Sequence, residues 1–179
     1  YIKTVLKSSF LIVFLIINSF LLNAQSINVK NVDIVRDSFG VPHIYAKSDA
    51  ELAYGLAWAH SEDDFKTIQE AYLAGNSLLS KHIGLRGAPI DFLSQLIRSD
   101  DTIDSLYQTL DRDFIKVVQG YAKGLNSFAD EHPEQVLVNK LFPITPRKML
   151  KYSLLQLFIF SEGEKAVLST VSYTHLTLP

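Results

Sequence analysis

The sequence contains no cysteine among its 179 residues. That absence excludes disulfide scaffolds, thiolate zinc sites and cysteine nucleophiles. The chain also lacks any block of basic residues after residue 24, and 17 Lys and Arg against 19 Asp and Glu give a formal net charge of −2. A nucleic-acid partner bound through phosphate neutralisation is therefore not expected. Hydrophobic residues make up 47% and charged residues 20% of the chain, which is typical of a packed globular protein and not of a disordered one.

Residues 1–24 have the plan of a signal peptide. Lys3 and Lys7 precede an apolar run at residues 10–22, and the small residue Ala24 follows at a cleavage point. The alternative is an uncleaved membrane anchor, although a spanning helix needs about 20 apolar residues and this run is shorter. We expect cleavage after Ala24 and export to the periplasm or beyond. Cleavage removes two lysines and no acid, which takes the net charge from −2 to −4.

The other end of the chain is expected to lie outside the fold. Residues 161–179 form a doubtful tail, in which genuine sequence ends between Phe160 and Ser172. Residues 171–179 carry no charged side chain and continue no helical period, so we interpret them as foreign sequence. The alternative is a genuine loose C-terminus, and His175 enters no mechanism under either interpretation.

Residues 25–160 are predicted to form one α+β unit, with a short β unit at residues 30–46 and helices over residues 49–160. Two extended segments flank a turn at residues 37–40, which predicts a hairpin. Its second strand begins at Pro42 or lies at a sheet edge, because proline has no N–H to donate.

Capping residues mark the predicted helix starts. Ser48 and Glu51 form a capping box that opens the first helix, where small residues including Gly55 predict close packing. The run Ser61-Glu62-Asp63-Asp64 puts negative charge in the first turn of a second helix, where the helix dipole favours it. Asp111 opens a third helix, and His132-Pro133 ends it.

A last helix is predicted after Thr145-Pro146, a cap followed by proline at the first helical position. Residues 149–160 are apolar nearly all round, so this helix is expected to be buried on most sides. The rest of the chain offers too little protein to bury it. We therefore expect the remainder of the fold to lie beyond residue 179.

No local motif completes an active site. His60 and the three acids at residues 62–64 are compatible with a metal cluster, but such a run is more often a helix N-terminus. His43 is either a general base or, more commonly, a strand histidine bonded to backbone. His82 and His132 stand at predicted helix ends, where an imidazolium suits the helix dipole.

Four segments, taken together and in order, resemble the penicillin acylase family. They are residues 32–46 (VDIVRDSFGVPHIYA), 53–64 (AYGLAWAHSEDD), 121–126 (YAKGLN) and 142–146 (FPITP). In the third segment Leu125 stands where the family usually has valine. The family also includes acyl-homoserine-lactone, cephalosporin and aculeacin acylases, and the likeness runs from about residue 30 to residue 160.

The resemblance implies an exported precursor that cuts itself into a shorter α chain and a longer β chain. The two chains fold together as an αββα hydrolase with an N-terminal nucleophile (Ntn hydrolase). This sequence then corresponds to a mostly helical α-chain fragment, inactive alone, whose partner is its own missing β chain. No catalytic residue is expected here, since the sequence has no Gly-Ser dipeptide and neither Ser161 nor Ser169 stands in family sequence.

The resemblance also places part of an acyl pocket on the helix after Thr145-Pro146. Leu157, Phe158 and Phe160 are expected to line it, because apolar walls suit an acyl chain or a phenylacetyl group. The alternative for each is core packing against the missing chain.

No cofactor is required by this chemistry. Some family members bind a structural calcium ion through an acidic residue of this region. Glu162 and Glu164 are near but do not match the spacing, so the metal ligand is left unassigned.

The expected function is therefore hydrolysis of an acyl amide of the penicillin, cephalosporin or acyl-homoserine-lactone kind, with a small-molecule substrate that fold-level likeness does not name. The alternative from another class is a non-catalytic exported helical binding module. The apolar helix at residues 149–160 argues against the module, because a monomer rarely leaves so large an apolar surface uncovered.

Overall fold

The structure is a computed structural model that describes residues 27–161, 163 and 165. A small hairpin is followed by helices, which confirms the predicted α+β class. The strands are β1 (Asp33–Arg36) and β2 (Pro42–Tyr45), and the helices are α1 (Asp49–Gly75), α2 (Ser80–Ile83), α3 (Ala88–Leu96), α4 (Ser99–Leu106), α5 (Arg112–Glu131) and α6 (Pro146–Phe160). Short 3-10 turns lie before β1 and between several of the helices.

The hairpin closes through the side chain of Asp37. Its Oδ1 accepts hydrogen bonds from the backbone N–H groups of Phe39 and Val41, at 2.8 and 3.0 Å. Gly40 has a φ of 82°, in the left-handed region that glycine adopts without steric cost. β1 and β2 pair antiparallel, and β2 begins at Pro42 as predicted.

The first helix begins at the predicted cap, but the capping acid has a different use. Ser48 Oγ accepts the Glu51 N–H at 3.3 Å. The buried Glu51 carboxylate binds the preceding segment, accepting from Asn31 Nδ2 at 2.9 Å and from the Asn28 N–H at 3.3 Å. These hydrogen bonds, with that from Asn31 the strongest contributor, lower the pKa of Glu51. Glu51 therefore ties the chain before β1 to the start of α1.

α1 is broken at Asp64, where φ is −159° and ψ is 70°. Asp64 Oδ1 accepts the Thr67 N–H at 3.0 Å, so Asp64 caps the second half of the helix. The second half of the helix therefore starts at Asp64, the last of the acids for which a helix start was predicted. The prediction is wrong for Glu62 and Asp63, which end the first half of α1 and therefore lie near the negative end of its dipole.

α1 and α5 touch backbone to backbone. A Cβ added to Gly120 would lie 2.0 Å from the Ala50 carbonyl oxygen, and one added to Gly124 would lie 2.5 Å from that of Tyr54. Beside this helix contact, apolar side chains from both helices, from the residues just after α1 and from the segment before α6 form the main core. Its fully or nearly fully buried members are Ala57, Phe65, Leu73, Leu78, Ala122, Leu125, Phe128, Ala129, Leu141 and Ile144.

α6 begins at the predicted cap and lies against α1, α4 and α5. Leu155 is its one buried residue in the part of the chain that the structure describes. The expectation of a helix buried on most sides is therefore not met by these residues, and much of its apolar surface is open. Within the same described ranges, none of the helices has the length and hydropathy needed to cross a membrane.

The backbone contact between α1 and α5 predicts the effect of a single added methyl group. Gly120→Ala should lower the free energy of unfolding by about 1–3 kcal/mol, because overpacking at a backbone contact outweighs the roughly 1 kcal/mol that alanine gains over glycine in a helix. The midpoint of urea unfolding measures this change. Asp130→Ala, at an exposed position of the same helix, is the control and should stay within about 0.5 kcal/mol of the unmodified chain. A Gly120→Ala variant more stable than the unmodified chain would contradict the contact.

Candidate functional site

The three residues predicted to line an acyl pocket lie on the last turns of α6. Leu157 is 66% exposed and Phe160 is 79% exposed, while Phe158 is half-buried. Leu157 and Phe160 are three residues apart, so they occupy neighbouring positions on one helix face. They form an open apolar surface and not an enclosed pocket. A cavity of about 210 Å³ lies instead at the start of α1, lined by Ile27, Glu51 and Lys116 among others.

The start of α6 is held by three polar side chains, Asn76, Asn126 and Lys148, which we call the α6 anchor. Asn126 of α5 makes two hydrogen bonds to the backbone of Ile144: its Nδ2 donates to the carbonyl at 2.8 Å, and its Oδ1 accepts the N–H at 2.7 Å. Ile144 is itself buried. The residue just before the helix cap is thereby fixed to α5.

The other two members of the α6 anchor are Lys148, on the helix itself, and Asn76, the residue that follows the end of α1. Lys148 Nζ donates to the carbonyls of Leu141 and Pro143, at 2.6 and 3.0 Å. Asn76 Nδ2 donates to the Lys148 carbonyl at 3.0 Å. Burial, with the nearby charge of Lys151, lowers the pKa of Lys148.

Charged side chains hold the side of α6 against α4. Arg147 Nη1 lies 3.4 Å from Asp104 Oδ1, and its guanidinium stacks 4.0 Å above the centre of the Tyr107 ring. The Lys151 ammonium contacts the Asp100 carboxylate. The first half of α6 is therefore fixed by polar contacts, whereas its last turns carry the exposed apolar residues.

Arg36 joins the hairpin to the break in α1. Its guanidinium contacts Glu62 Oε2 at 3.0 Å and Asp63 Oδ1 at 2.8 Å, and it donates to the Gly40 carbonyl at 2.8 Å. Hydrogen bonds to Glu62 and then Asp63 raise the pKa of Arg36. Trp58 Nε1 also donates to Glu62, at 3.0 Å. Arg36 thus compensates the two carboxylates at the end of the first helix half from outside the helix.

His43 has an acidic partner that sequence reasoning missed. Its Nε2 lies 3.3 Å from Asp37 Oδ2, so the expected bond to backbone is replaced by one to a carboxylate. The pairing brings a turn residue beside a strand residue six positions later, which only the hairpin register reveals. Asp37 also holds the turn, and its pKa is lowered first by His43 and then by the N–H groups of Phe39 and Val41. The pair links the turn to β2, and no serine or other nucleophile is seen to bond to His43 in the part of the chain that the structure describes.

The candidate metal cluster at residues 60–64 does not assemble. His60 Nδ1 is 3.0 Å from the Tyr121 hydroxyl, while Asp64 caps a helix and the intervening acids hold Arg36. Among the residues that the structure describes, no group of three or more His, Asp or Glu is arranged to hold a metal ion. Glu162 and Glu164, considered for calcium, lie outside the described residues, as do Ser169 and His175.

The remaining histidines are where helix ends were predicted. His82 pairs with Glu70 at 3.2 Å, and His132 ends α5 with its ring 4.4 Å from that of Phe128. Ser161 Oγ donates to the Phe158 carbonyl at 2.8 Å. None of these contacts forms a nucleophile and base pair.

Two of the four family-like segments meet at the α6 anchor, since Asn126 ends the third segment and Ile144 is the centre of the fourth. A model of the penicillin amidase family matches residues 31–173. The chain belongs to the penicillin amidase family. The resemblance inferred from the four segments is therefore confirmed.

Individual relatives in this family are similar at low identity. The chain is 25% identical over 152 residues to penicillin G acylase of Escherichia coli, covering 82% of this chain and 18% of that protein. It is 26% identical over 113 residues to acyl-homoserine lactone acylase PvdQ of Pseudomonas fluorescens (strain Pf0-1), covering 59% of this chain and 14% of that protein. The chain thus spans less than a fifth of the length of these relatives.

A solved structure shows the same fold. One chain of a thermostable penicillin G acylase from Alcaligenes faecalis superposes with a TM-score of 0.63 at 21% identity, covering 73% of this chain and 74% of that chain. The hairpin and helices described here therefore match part of the Ntn-hydrolase fold of the penicillin amidase family.

The contact between His43 and Asp37 predicts how the hairpin responds to acid. Asp37 should titrate below its usual pKa of about 3.9, and His43→Ala should raise that pKa because it removes the largest stabilising contact of the carboxylate. Since the pKa is lowered in the folded chain, the carboxylate stabilises the hairpin above pH 4 or so, and the contribution disappears as the pH falls through the lowered value. Carboxyl-carbon NMR titration measures the shift. His60→Ala, remote from Asp37, is the control, and equal Asp37 values in all three proteins would refute the contact.

Proposed function

We propose that this chain is most of the α chain of an exported acylase. With a β chain encoded after it, it forms an enzyme that hydrolyses a small-molecule acyl amide. The acyl part of the substrate resembles that of a penicillin, a cephalosporin or an acyl-homoserine lactone. The two relatives described above are named penicillin G acylase and acyl-homoserine lactone acylase, and the compounds in both names are acyl amides.

The observation that carries the proposal is the uneven environment of α6. Its start is fixed by the α6 anchor, while Leu157 and Phe160 at its end are left exposed. Burying a side chain of this size contributes about 1.5–3 kcal/mol, so an exposed pair on a well-fixed helix indicates a surface made to be covered. A β chain and a bound acyl group together would cover it. A binding module would also present an exposed apolar face, so it is the family match, and not this exposure, that favours the acylase over the module.

The lengths of the relatives support an α-chain assignment. The chain matches 18% of the E. coli protein, but it and the matched A. faecalis chain cover each other by nearly equal shares. That chain is therefore close to this one in length, as expected if members of the family carry a short α chain beside a longer one. Self-cleavage of a precursor is the proposed origin of the two chains.

In the proposed reaction the chemistry belongs to the β chain. Its new N-terminal residue attacks the amide carbonyl, with its own α-amino group as the base. Hydrogen-bond donors of an oxyanion hole stabilise the tetrahedral intermediate. The present chain contributes apolar wall through Leu157, Phe158 and Phe160, and it supplies no catalytic residue. The reaction needs no metal ion, and the calcium that some members of the family bind is structural.

The acyl-wall proposal is tested in the complete, processed enzyme with Phe160→Ala. The variant should raise KM for a phenylacetyl or long-chain acyl amide about tenfold and leave kcat within about twofold, because the wall binds substrate without taking part in bond breaking. Steady-state kinetics on acyl p-nitroanilides measure both constants.

Phe92→Ala is the matched control, since Phe92 is also largely exposed but lies on α3. It should leave KM unchanged. Equal effects of the two variants on KM would show that Phe160 does not line the acyl wall. A processed enzyme that cleaves no acyl amide would refute the proposed function.

Export is proposed through residues 1–24, which lie outside the described residues. N-terminal sequencing of the protein recovered from a periplasmic or culture fraction should begin at Gln25, because cleavage is expected after Ala24. Replacing Ala24 with a bulky residue should leave the precursor uncleaved, whereas the same replacement at Gln25 serves as the control. Recovery of the uncleaved chain in the membrane fraction would instead support an anchor.

A further inference from the structure

The side chain of Asn126 makes two hydrogen bonds to the backbone of Ile144, one donated and one accepted, as a residue on a paired β-strand does. Its amide donates to the Ile144 carbonyl at 2.8 Å and accepts the Ile144 N–H at 2.7 Å. Both polar groups of one buried residue are therefore satisfied by one side chain of α5. Two short, opposed hydrogen bonds fix the orientation of that peptide as well as its position.

Ile144 stands one residue before the cap of α6, so its peptide is the support of the helix on the α5 side, beside the contacts of Asn76, Arg147 and Lys151 with the other elements. Thr145 Oγ1 accepts the Lys148 N–H at 3.3 Å, and the helix runs from Pro146 to Phe160. At 1.5 Å per residue, the end of α6 lies about 20 Å from this point. Because Lys151 and Tyr152 hold the middle of α6 against α4 and α1, a loss at the start would tilt the helix about its middle, and a tilt of about 5° would move the last turn by about 1 Å.

The other contacts near the start of α6 do not replace Asn126. The two carbonyls bound by Lys148 belong to Leu141 and Pro143, in the same segment that leads into the helix. That side chain holds the segment to the helix but not to α5. Asn76 ties the helix to the end of α1, at the Lys148 carbonyl. Asn126 thus adds a link to α5 that these two residues do not supply.

We propose that Asn126 is a positioning residue for acyl-chain length, because its paired hydrogen bonds to Ile144 supply the α5 side of the support of α6, the helix that carries Leu157, Phe158 and Phe160. This inference rests on the proposed acylase function. Without those hydrogen bonds the last turns of α6 shift, and the acyl wall no longer discriminates chain length as before. Asn126 itself contacts no substrate.

The test uses the complete, processed enzyme and a pair of straight-chain acyl p-nitroanilides, one short and one long. Asn126→Ala should change the ratio of kcat/KM for the two substrates about tenfold, mainly through KM, since a displaced apolar wall alters binding by one or more methylene groups. A role in folding alone would lower the amount of active enzyme and leave this ratio unchanged.

Gln69→Ala is the matched control. Gln69 is a buried amide that also bridges loop backbone, with Nε2 donating to the Gln135 carbonyl at 3.0 Å and Oε1 accepting the Leu137 N–H at 2.9 Å. Neither of these hydrogen bonds involves Ile144. The control should keep the substrate ratio within about twofold of the wild type.

Asn126→Asp provides a conservative rescue. As a carboxylate it repels the Ile144 carbonyl, so the substrate ratio should resemble that of Asn126→Ala. As the pH falls toward about 4, the protonated carboxyl regains a donor and an acceptor, and the ratio should return toward that of the wild type. The pH dependence of the shared nucleophile cancels in the ratio of two substrates.

Hydrogen exchange separates this inference from the proposed function. Asn126→Ala should speed exchange along residues 146–160, whereas Gln69→Ala should act at residues 135–137. If the wild-type enzyme cleaves no acyl amide, the proposed function and the chain-length role both fail, and exchange alone decides whether Asn126 positions α6. An unchanged substrate ratio in Asn126→Ala, or equal changes in Asn126→Ala and Gln69→Ala, overturns the inference.

Discussion

The backbone contact between α1 and α5 is the constraint on which the other parts of this structure depend. Gly120 and Gly124 bring α5 so close to α1 that a single Cβ would strike a carbonyl oxygen of the facing helix. On α1, Gly55 receives the hairpin, since a Cβ there would lie 2.6 Å from Ile44 Cγ2. On α5, Asn126 follows Gly124 by two residues and holds the segment before α6. The hairpin and the last helix are therefore both positioned by one helix pair whose separation is set by glycine.

Ion pairs make a second contribution, which is local, at the break in α1. The break at Asp64 leaves Glu62 and Asp63 near the end of a helix half, where the helix dipole disfavours carboxylates. Arg36, at the end of β1, forms ion pairs with both carboxylates, and it also donates a hydrogen bond to the Gly40 carbonyl in the hairpin turn. Its delocalised, forked guanidinium suits several acceptors at once in a way that a lysine ammonium does not. The family-like segments at residues 32–46 and 53–64 are thus linked by one side chain.

Sequence reasoning predicted the features that depend on neighbours in the chain. The caps at Ser48, Asp111 and Thr145 were all identified, because a capping side chain binds backbone two or three residues away. The long-range pairs were missed: Asn126 and Ile144 lie 18 residues apart, and no periodicity signals that an amide will bind a distant peptide. The position of the break in α1 was also misjudged, since four consecutive polar residues at 61–64 all suit a helix end. Family likeness named the right segments without showing that they touch.

The two halves of α6 show why a part of this site escapes local prediction. Polar contacts fix a helix only when donors and acceptors meet at set distances, so the anchored half can be traced residue by residue to Asn76, Asn126 and Lys148. Apolar contacts carry no such direction, and an exposed Leu157 or Phe160 specifies only that something apolar should cover it. A helix fixed at one end and exposed at the other can present an apolar surface at a defined angle. Under the proposed function, this surface is a wall whose polar supports lie in the present chain, and a β chain would help to enclose the substrate against it.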